Sequence, residues 1–464
     1  MSLNSLFFVF LFLPVGWLLQ RFVPEKGKNA VLLLLSVAFI AWGSPRDMLL
    51  ILCSAAFNFF TALELSGLQR RGKKKYAAAV FASGVVVNLG LLLFYKYTGF
   101  ALGIFGAAQA ITLPAAPVGI SFYTFSALSF LTDVKRGKAH APKDFIDLGL
   151  YLTFFPKFIS GPIVTYADFE KELHGRGVDA ALIETGVTRF TVGLAKKLVL
   201  ADSLALTFTA ISALPVQSLT VAHAWLGLLT YAFMLYFDFS GYSDMAIGLG
   251  NACGFRFAEN FNYPYLSVSI TDFWRRWHIS LGRWFRDYVY IPMGGSRAGQ
   301  LRTVLNLAVV WALTGLWHGA NWTFLVWGVY HLVLLLLEKF LFGGLKKKLP
   351  KAVNIVFTFF CAVLGWVPFF SQDLSYAGGF LLRLIGVGGA GVVNTDALYQ
   401  LQSGAVWLAL ALIGSTPLLK KLGGRLKDKK AFMPVKAVLL LALLALCTAA
   451  MISGTYQSFL YAQF

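Results

Sequence analysis

The sequence predicts an all-α, polytopic membrane protein. Of its 464 residues 58% are hydrophobic and only 13% are charged, against roughly 25% charged residues in soluble domains. The mean hydropathy is +0.69. Apolar runs of about 18 or more residues recur along the chain, each long enough to cross a bilayer as a helix.

The charge balance fits that class. Forty Lys and Arg against 21 Asp and Glu give +19, and the basic residues gather in short loops between apolar runs, as the positive-inside rule requires. With no basic groove and no soluble module, nucleic acid is not an expected partner. Cys53, Cys253, Cys361 and Cys447 are scattered without a CxxC pair; they predict inert thiols, no disulfide framework and no metal site.

Met1 to Gln20, apolar over 4–20, lack a basic leader and a small-residue cleavage site, so they read as a retained first span. Spans follow at about 29–43, 48–66 and 77–95, and a further apolar region ends at Asp133. Placing the basic loops 21–28, 67–76 and 133–144 inside puts the N-terminus outside. Residues 114–132 and 151–164 are apolar but broken by Pro117, Pro156 and Pro162. The second suits a re-entrant or broken helix, tolerated at membrane depth only where protein or a cavity covers it. Residues 186–210 carry Arg189, Lys196, Lys197 and Asp202 and predict a partly interfacial helix.

The run 222–250 contains Asp238 and Asp244, which at membrane depth need partners or water. The expected role is structural, with each holding an arginine or a helix end; an acid/base pair is the alternative. Residues 271–290 predict an amphipathic interfacial helix. At roughly 100° per residue, Trp274, Trp277, Leu281, Trp284, Phe285 and Tyr288 share one face. Asp272, Arg275, Arg276, Arg283, Arg286 and Asp287 share the other, toward water or anions. His278 sits at the edge of the apolar face. Residues 303–342 are too long for one helix, and the break at Gly319-Ala-Asn321 makes His318 the end of the first of two. His331, in the second, reads as structural. Spans at about 352–371, 404–419 and 433–452 bring the total to ten to twelve.

The two histidines draw the functional reading. An imidazole at membrane depth is costly and marks a functional site by default, and histidine is tuned for proton transfer near neutral pH.

Several blocks, in order, resemble the membrane-bound O-acyltransferase (MBOAT) family. They are Val118-Gly-Ile-Ser-Phe-Tyr-Thr-Phe125, Phe154-Phe-Pro156, Ser160-Gly-Pro-Ile163 and Phe237-Asp-Phe-Ser-Gly-Tyr-Ser-Asp-Met-Ala-Ile-Gly248. After these come Phe273-Trp-Arg-Arg-Trp-His-Ile-Ser-Leu281, Trp284-Phe-Arg-Asp-Tyr288, Ile291-Pro-Met-Gly-Gly295 and Gly315-Leu-Trp-His-Gly319. The similarity is to the bacterial branch that acts in alginate O-acetylation, teichoic acid D-alanylation and peptidoglycan O-acetylation. It covers most of the chain, most strongly residues 115–330. Lys157 departs from the branch pattern.

The resemblance implies a single membrane domain over residues 1–464, with a core at 115–342, peripheral helices at 1–100 and 352–464, and a central tunnel. It implies that His318 is the catalytic base and His278 the branch's second histidine. The donor would be a cytoplasmic thioester, acetyl-CoA or an acyl carrier, with no bound cofactor and no metal. The acceptor would be an extracellular or periplasmic polysaccharide, reached through a separate SGNH-type acetyltransferase, and the location the bacterial cytoplasmic membrane. Arg275, Arg276, Arg283, Asp238 and Asn321 are the further candidates for donor or substrate contact, the arginines because guanidinium forks suit phosphates. D-alanyl or peptidoglycan O-acyl transfer are alternatives within the fold. A transporter with a His/Asp relay would call for paired broken helices in the two halves, which the sequence lacks. A structural scaffold would leave both histidines dispensable.

Overall fold

The computed structural model describes residues 1–107, 113–297, 299–343, 348–426, 428–429 and 431–454, and these are helices joined by loops. In chain order they are α1 (Leu13–Phe22), α2 (Lys28–Gly43), α3 (Pro45–Arg70), α4 (Lys74–Ile104), α5 (Ile120–Lys135), α6 (Phe145–Thr153), α7 (Phe155–Phe158) and α8 (Tyr166–Leu173). Then come α9 (Ala180–Ala195), α10 (Asp202–Ser212), α11 (Val221–Ala252), α12 (Ile270–Arg276), α13 (Ile279–Phe285), α14 (Gln300–His318) and α15 (Trp322–Leu337). The last are α16 (Lys351–Leu364), α17 (Trp366–Phe370), α18 (Leu374–Leu384), α19 (Thr395–Gly414), α20 (Leu418–Leu426) and α21 (Phe432–Ile452). Among the described residues, seven helices are long and apolar enough to cross a membrane: Glu25–Gly43, Pro45–Arg70, Lys74–Ile104, Trp322–Phe342, Lys351–Phe370, Thr395–Gly414 and Phe432–Ile452. The expected first span is a shorter apolar helix, Phe8–Phe22. The protein is an all-α, multi-pass membrane protein.

The helices group into two compact units. The first comprises Met1–Phe190 and Ser243–Ala258, the second Thr191–Tyr242 and Glu259–Phe464. In the first, α3 packs on α4 and α5, and α2 on α6. The long apolar helices carry few polar residues, and two of these pair between α3 and α4. Asn58 on α3 and Asn88 on α4 exchange amide hydrogen bonds of 3.1 and 2.8 Å, and Tyr123 donates to Ser54 at 2.8 Å. Interhelical amide pairs of this kind hold membrane helices where no hydrophobic gain is available. Residues 151–164 are broken as expected: α6 ends at Thr153, one short helical turn follows at Phe155–Phe158, and the rest is irregular. Lys157 is buried there with its ammonium 4.4 Å from the centre of the Tyr151 ring.

The expected structural roles of the two aspartates hold with one change of partner. Asp244 accepts from Arg189 at 2.8 and 3.0 Å. Asp238 is paired with a lysine instead of an arginine. Lys197, expected at the interface, is buried (2% exposed) with its ammonium 2.7 Å from both Asp202 and Asp238. The chain runs as a π-helix from Lys196 to Ala201, and the Asp202 N–H bonds to the Lys197 carbonyl. The wider π turn brings residues five apart onto one face, which is why Lys197 meets Asp202.

Two further expectations need correction. The helix placed at 404–419 begins at Thr395, because Asn394 caps it by accepting from the Ala397 N–H at 2.8 Å. The interfacial helix expected over 271–290 is not continuous: α12 stops at Arg276, α13 starts at Ile279, and a π-helix takes up Arg286–Tyr290. The amphipathic pattern survives the break, with Trp277, Leu281, Trp284 and Phe285 buried and Arg275, Arg283 and Arg286 exposed.

Candidate active site

The site is built in the second unit from α12, α13, α14, α15 and α17. His318 closes α14 where the sequence predicted. Gly319 continues in extended conformation, and Asn321 starts α15 by accepting from the Thr323 N–H at 3.2 Å. The His318 ring is 2% exposed and enclosed by aromatic rings, with centroids at 4.8 Å to Trp317, 4.9 Å to Trp327 and 5.1 Å to Phe369.

His278 lies at the break between α12 and α13 in the left-handed region, at φ 46° and ψ 55°. For a residue other than glycine this conformation costs about 1–3 kcal/mol and holds only where the surroundings dictate it. Here they do. The Trp277 N–H closes α12 on the Phe273 carbonyl at 2.8 Å, and the His278 carbonyl opens α13 by accepting from Gly282 at 3.1 Å. The first donors of α13 would otherwise lack partners, and Asn260 supplies them. Its carbonyl accepts from Ile279 at 3.0 Å, and its side-chain oxygen accepts from the Ser280 N–H at 3.2 Å and the Ser280 hydroxyl at 2.9 Å. The same oxygen lies 3.1 Å from Nδ1 of His278. Glu338 steadies the other end of this segment, accepting from the N–H groups of Ile270 and Thr271 at 2.7 and 3.2 Å.

The His278 ring is 2% exposed, with Phe239 edge-on at 4.6 Å and Trp317 at 5.9 Å. Burial lowers its pKa to about 3, so the imidazole is neutral at physiological pH. Trp317 is thus in ring contact with both histidines.

A cavity of about 210 Å³ opens beside His278. Its wall is aromatic and aliphatic (Trp274, Trp277, Phe285, Trp311, Leu281, Leu307, Val310), with Thr314, Tyr290 and Arg286 as its other polar residues. Leu307, Val310, Trp311 and Thr314 recur at three- and four-residue spacing, and continuing that stripe along α14 reaches Trp317 and His318. The lined stretch of α14 ends at Thr314, about one helical turn before the histidine at the end of the helix.

The structure brings together His278, Trp317 and His318. It does not bring the other candidates to this cavity. Asp238 is held by Lys197, Arg276 pairs with Asp272 at 2.9 Å, Arg283 lies 3.7 Å from Asp287 and Arg275 is exposed. Asn321 serves as the α15 cap and donates to the Gln372 carbonyl at 3.1 Å. Of the arginines in this segment, Arg286 is the one that lines the cavity. Sequence reasoning passed over Asn260, whose role depends on partners far along the chain. Trp317 and Trp327 were also unassigned, although their spacing from His318 on α14 and α15 was visible. Among the described residues no group of three or more His, Cys, Asp or Glu could hold a metal ion.

The family model described as MBOAT, membrane-bound O-acyltransferase family, matches residues 141–367, a range that includes His278 and His318. The chain is 41% identical over 387 residues to the probable alginate O-acetylase AlgI of Pseudomonas aeruginosa, covering 81% of this chain and 73% of that protein. It is 34% identical over 430 residues to the peptidoglycan O-acetyltransferase of Helicobacter pylori, covering 84% and 81%. Against the teichoic acid D-alanyltransferase of Bacillus subtilis it is 27% identical over 390 residues, covering 78% and 96%. With that identity over that coverage, and with the expected blocks in order, the chain belongs to the membrane-bound O-acyltransferase family.

Proposed function

We propose that the protein moves an acetyl group from a cytoplasmic thioester, acetyl-CoA or an acyl carrier, for O-acetylation of an extracellular or periplasmic polysaccharide, with His318 as general base. The acceptor chain is reached through a separate SGNH-type acetyltransferase, and the protein works in the bacterial cytoplasmic membrane. The relatives named for alginate and for peptidoglycan support a polysaccharide acceptor.

The observation that carries this reading is His318 buried among aromatic rings at the end of α14, the helix whose Leu307, Val310, Trp311 and Thr314 line the cavity that His278 also lines. In the reaction the acceptor hydroxyl gives its proton to the His318 imidazole and its oxygen attacks the thioester carbonyl. A C–O bond forms, the C–S bond breaks, and the proton passes to the departing thiolate. A base positioned in this way contributes about 10²–10⁴ in rate. The apolar wall serves the same end by keeping water from the thioester.

Purified protein in nanodiscs, given radiolabelled acetyl-CoA, tests this reading. Label should be released and transferred to a polysaccharide or to a serine of the partner enzyme by the wild type, and not by His318→Ala. Undiminished transfer by His318→Ala would remove His318 from the mechanism. If acetyl-CoA neither binds nor turns over while a D-alanyl carrier thioester does, the acetyl assignment is overturned.

A further inference from the structure

We propose that Asn260 is the positioning residue of His278: it fixes the imidazole in the tautomer protonated on Nδ1 and leaves Nε2 as the lone-pair nitrogen. One donor beside His278 has a role that cannot change. The Ser280 backbone N–H can only donate, and it lies 3.2 Å from the terminal atom of the Asn260 side chain assigned as oxygen. Were the amide turned over, an NH₂ group would face that N–H, and two donors would oppose each other. The atom is therefore the carbonyl oxygen. The Ser280 hydroxyl, 2.9 Å away, donates to it as well. His278 Nδ1, 3.1 Å from the same oxygen, must then carry a proton, because a lone pair there would face a lone pair. In a neutral imidazole the other nitrogen is the acceptor. Asn260 is fully buried, so water does not compete for its oxygen.

The arrangement joins two tasks in one side chain. Asn260 satisfies the first donors of α13 and thereby holds His278 in its left-handed backbone conformation. It also sets which nitrogen of that histidine can accept a proton or a hydrogen bond from the reacting groups. Second partners of this kind orient reactive histidines in many sites. The value of the tautomer to catalysis rests on the proposed use of His278 in transfer; the tautomer itself does not.

Magnetic resonance of protein labelled with ¹⁵N-histidine in nanodiscs tests it, with the His278 signal identified by its loss in His278→Ala. The expected spectrum shows Nδ1 protonated and Nε2 bare. A bare Nδ1 in the folded wild type overturns the assignment whatever the activity of any variant. Asn260→Asp keeps the acceptor oxygen and should keep Nδ1 protonated. Asn260→Leu should lose that signature and lower kcat at least tenfold, with recovery toward the wild-type value in Asn260→Asp. If Asn260→Leu folds with the Nδ1–H signature intact, Asn260 does not set the tautomer. Full transfer by His278→Ala would instead strike the use of His278 in the reaction and leave the spectroscopic result standing.

Discussion

Gly328 lies so close to the Trp311 backbone that a Cβ added to it would sit 2.6 Å from the Trp311 carbonyl oxygen. One turn along, a Cβ on Gly315 would sit 2.5 Å from the Phe324 carbonyl oxygen. The two glycines let α14 and α15 meet backbone to backbone, the small-residue contact that membrane helices use in place of a hydrophobic gain. That contact brings Trp327 of α15 against His318 of α14.

Gly328→Ala and Gly315→Ala should therefore push the two helices apart and shift His318 from its neighbours. Overpacking of this kind costs about 1–3 kcal/mol. Both variants should melt at lower temperature in detergent and lose at least tenfold in acyl transfer, since small misplacements of a catalytic group cost about 10²-fold. Wild-type melting in both would show that the helices do not meet this closely.

The buried set of Lys197, Asp202 and Asp238 predicts an order of damage. Lys197→Met leaves two carboxylates facing each other at low exposure, and breaking a buried pair in this way costs about 3–5 kcal/mol. Asp238→Asn keeps the Lys197–Asp202 pair and should cost less. Thermal melts of the two variants check the order. Equal stability would mean that solvent reaches the cluster.

His318→Ala and His278→Ala should separate in kinetics. With His318 as the proposed base, its loss lowers kcat by about 10²–10⁴. His278 lines the cavity, so its loss should also raise KM for the donor thioester. Donor titrations on both variants decide it, and an unchanged KM in His278→Ala would place that residue away from the donor.

What the sequence made legible was local. The end of α14 at His318 and the start of α15 were readable because Gly319 and Asn321 are breaker and cap within a few residues of the histidine. The amphipathic face of 271–290 was readable because periodicity survives a bend. The bend itself was not, because its cause is Asn260, a residue outside the segment with no motif of its own. The burial of Lys197 was hidden for the same reason. One partner, Asp238, is on another helix, and the other is reached through a π turn that residue types do not announce. Arg275, Arg276, Arg283, Asp238 and Asn321 were chosen for their chemistry, and none of them lines the cavity.

His331 supplies the last prediction. It is fully buried on α15 among Trp274, Trp311 and Trp327, with ring centroids at 4.8, 5.5 and 5.1 Å. Neither ring nitrogen has a hydrogen-bond partner among the described residues. Gly365 makes room for it, since a Cβ there would lie 2.7 Å from Nε2. A polar ring held without partners contributes packing, and its nitrogens oppose stability by about 1–3 kcal/mol each relative to satisfied groups. An apolar side chain of similar size should serve as well or better, so His331→Leu should melt at or above the wild-type temperature and retain transfer. His331→Ala should leave a cavity and lose about 2–5 kcal/mol. If His331→Leu abolished transfer while the protein stayed folded, His331 would belong with His278 and His318 in the chemistry, and its reading as a packing residue would fall.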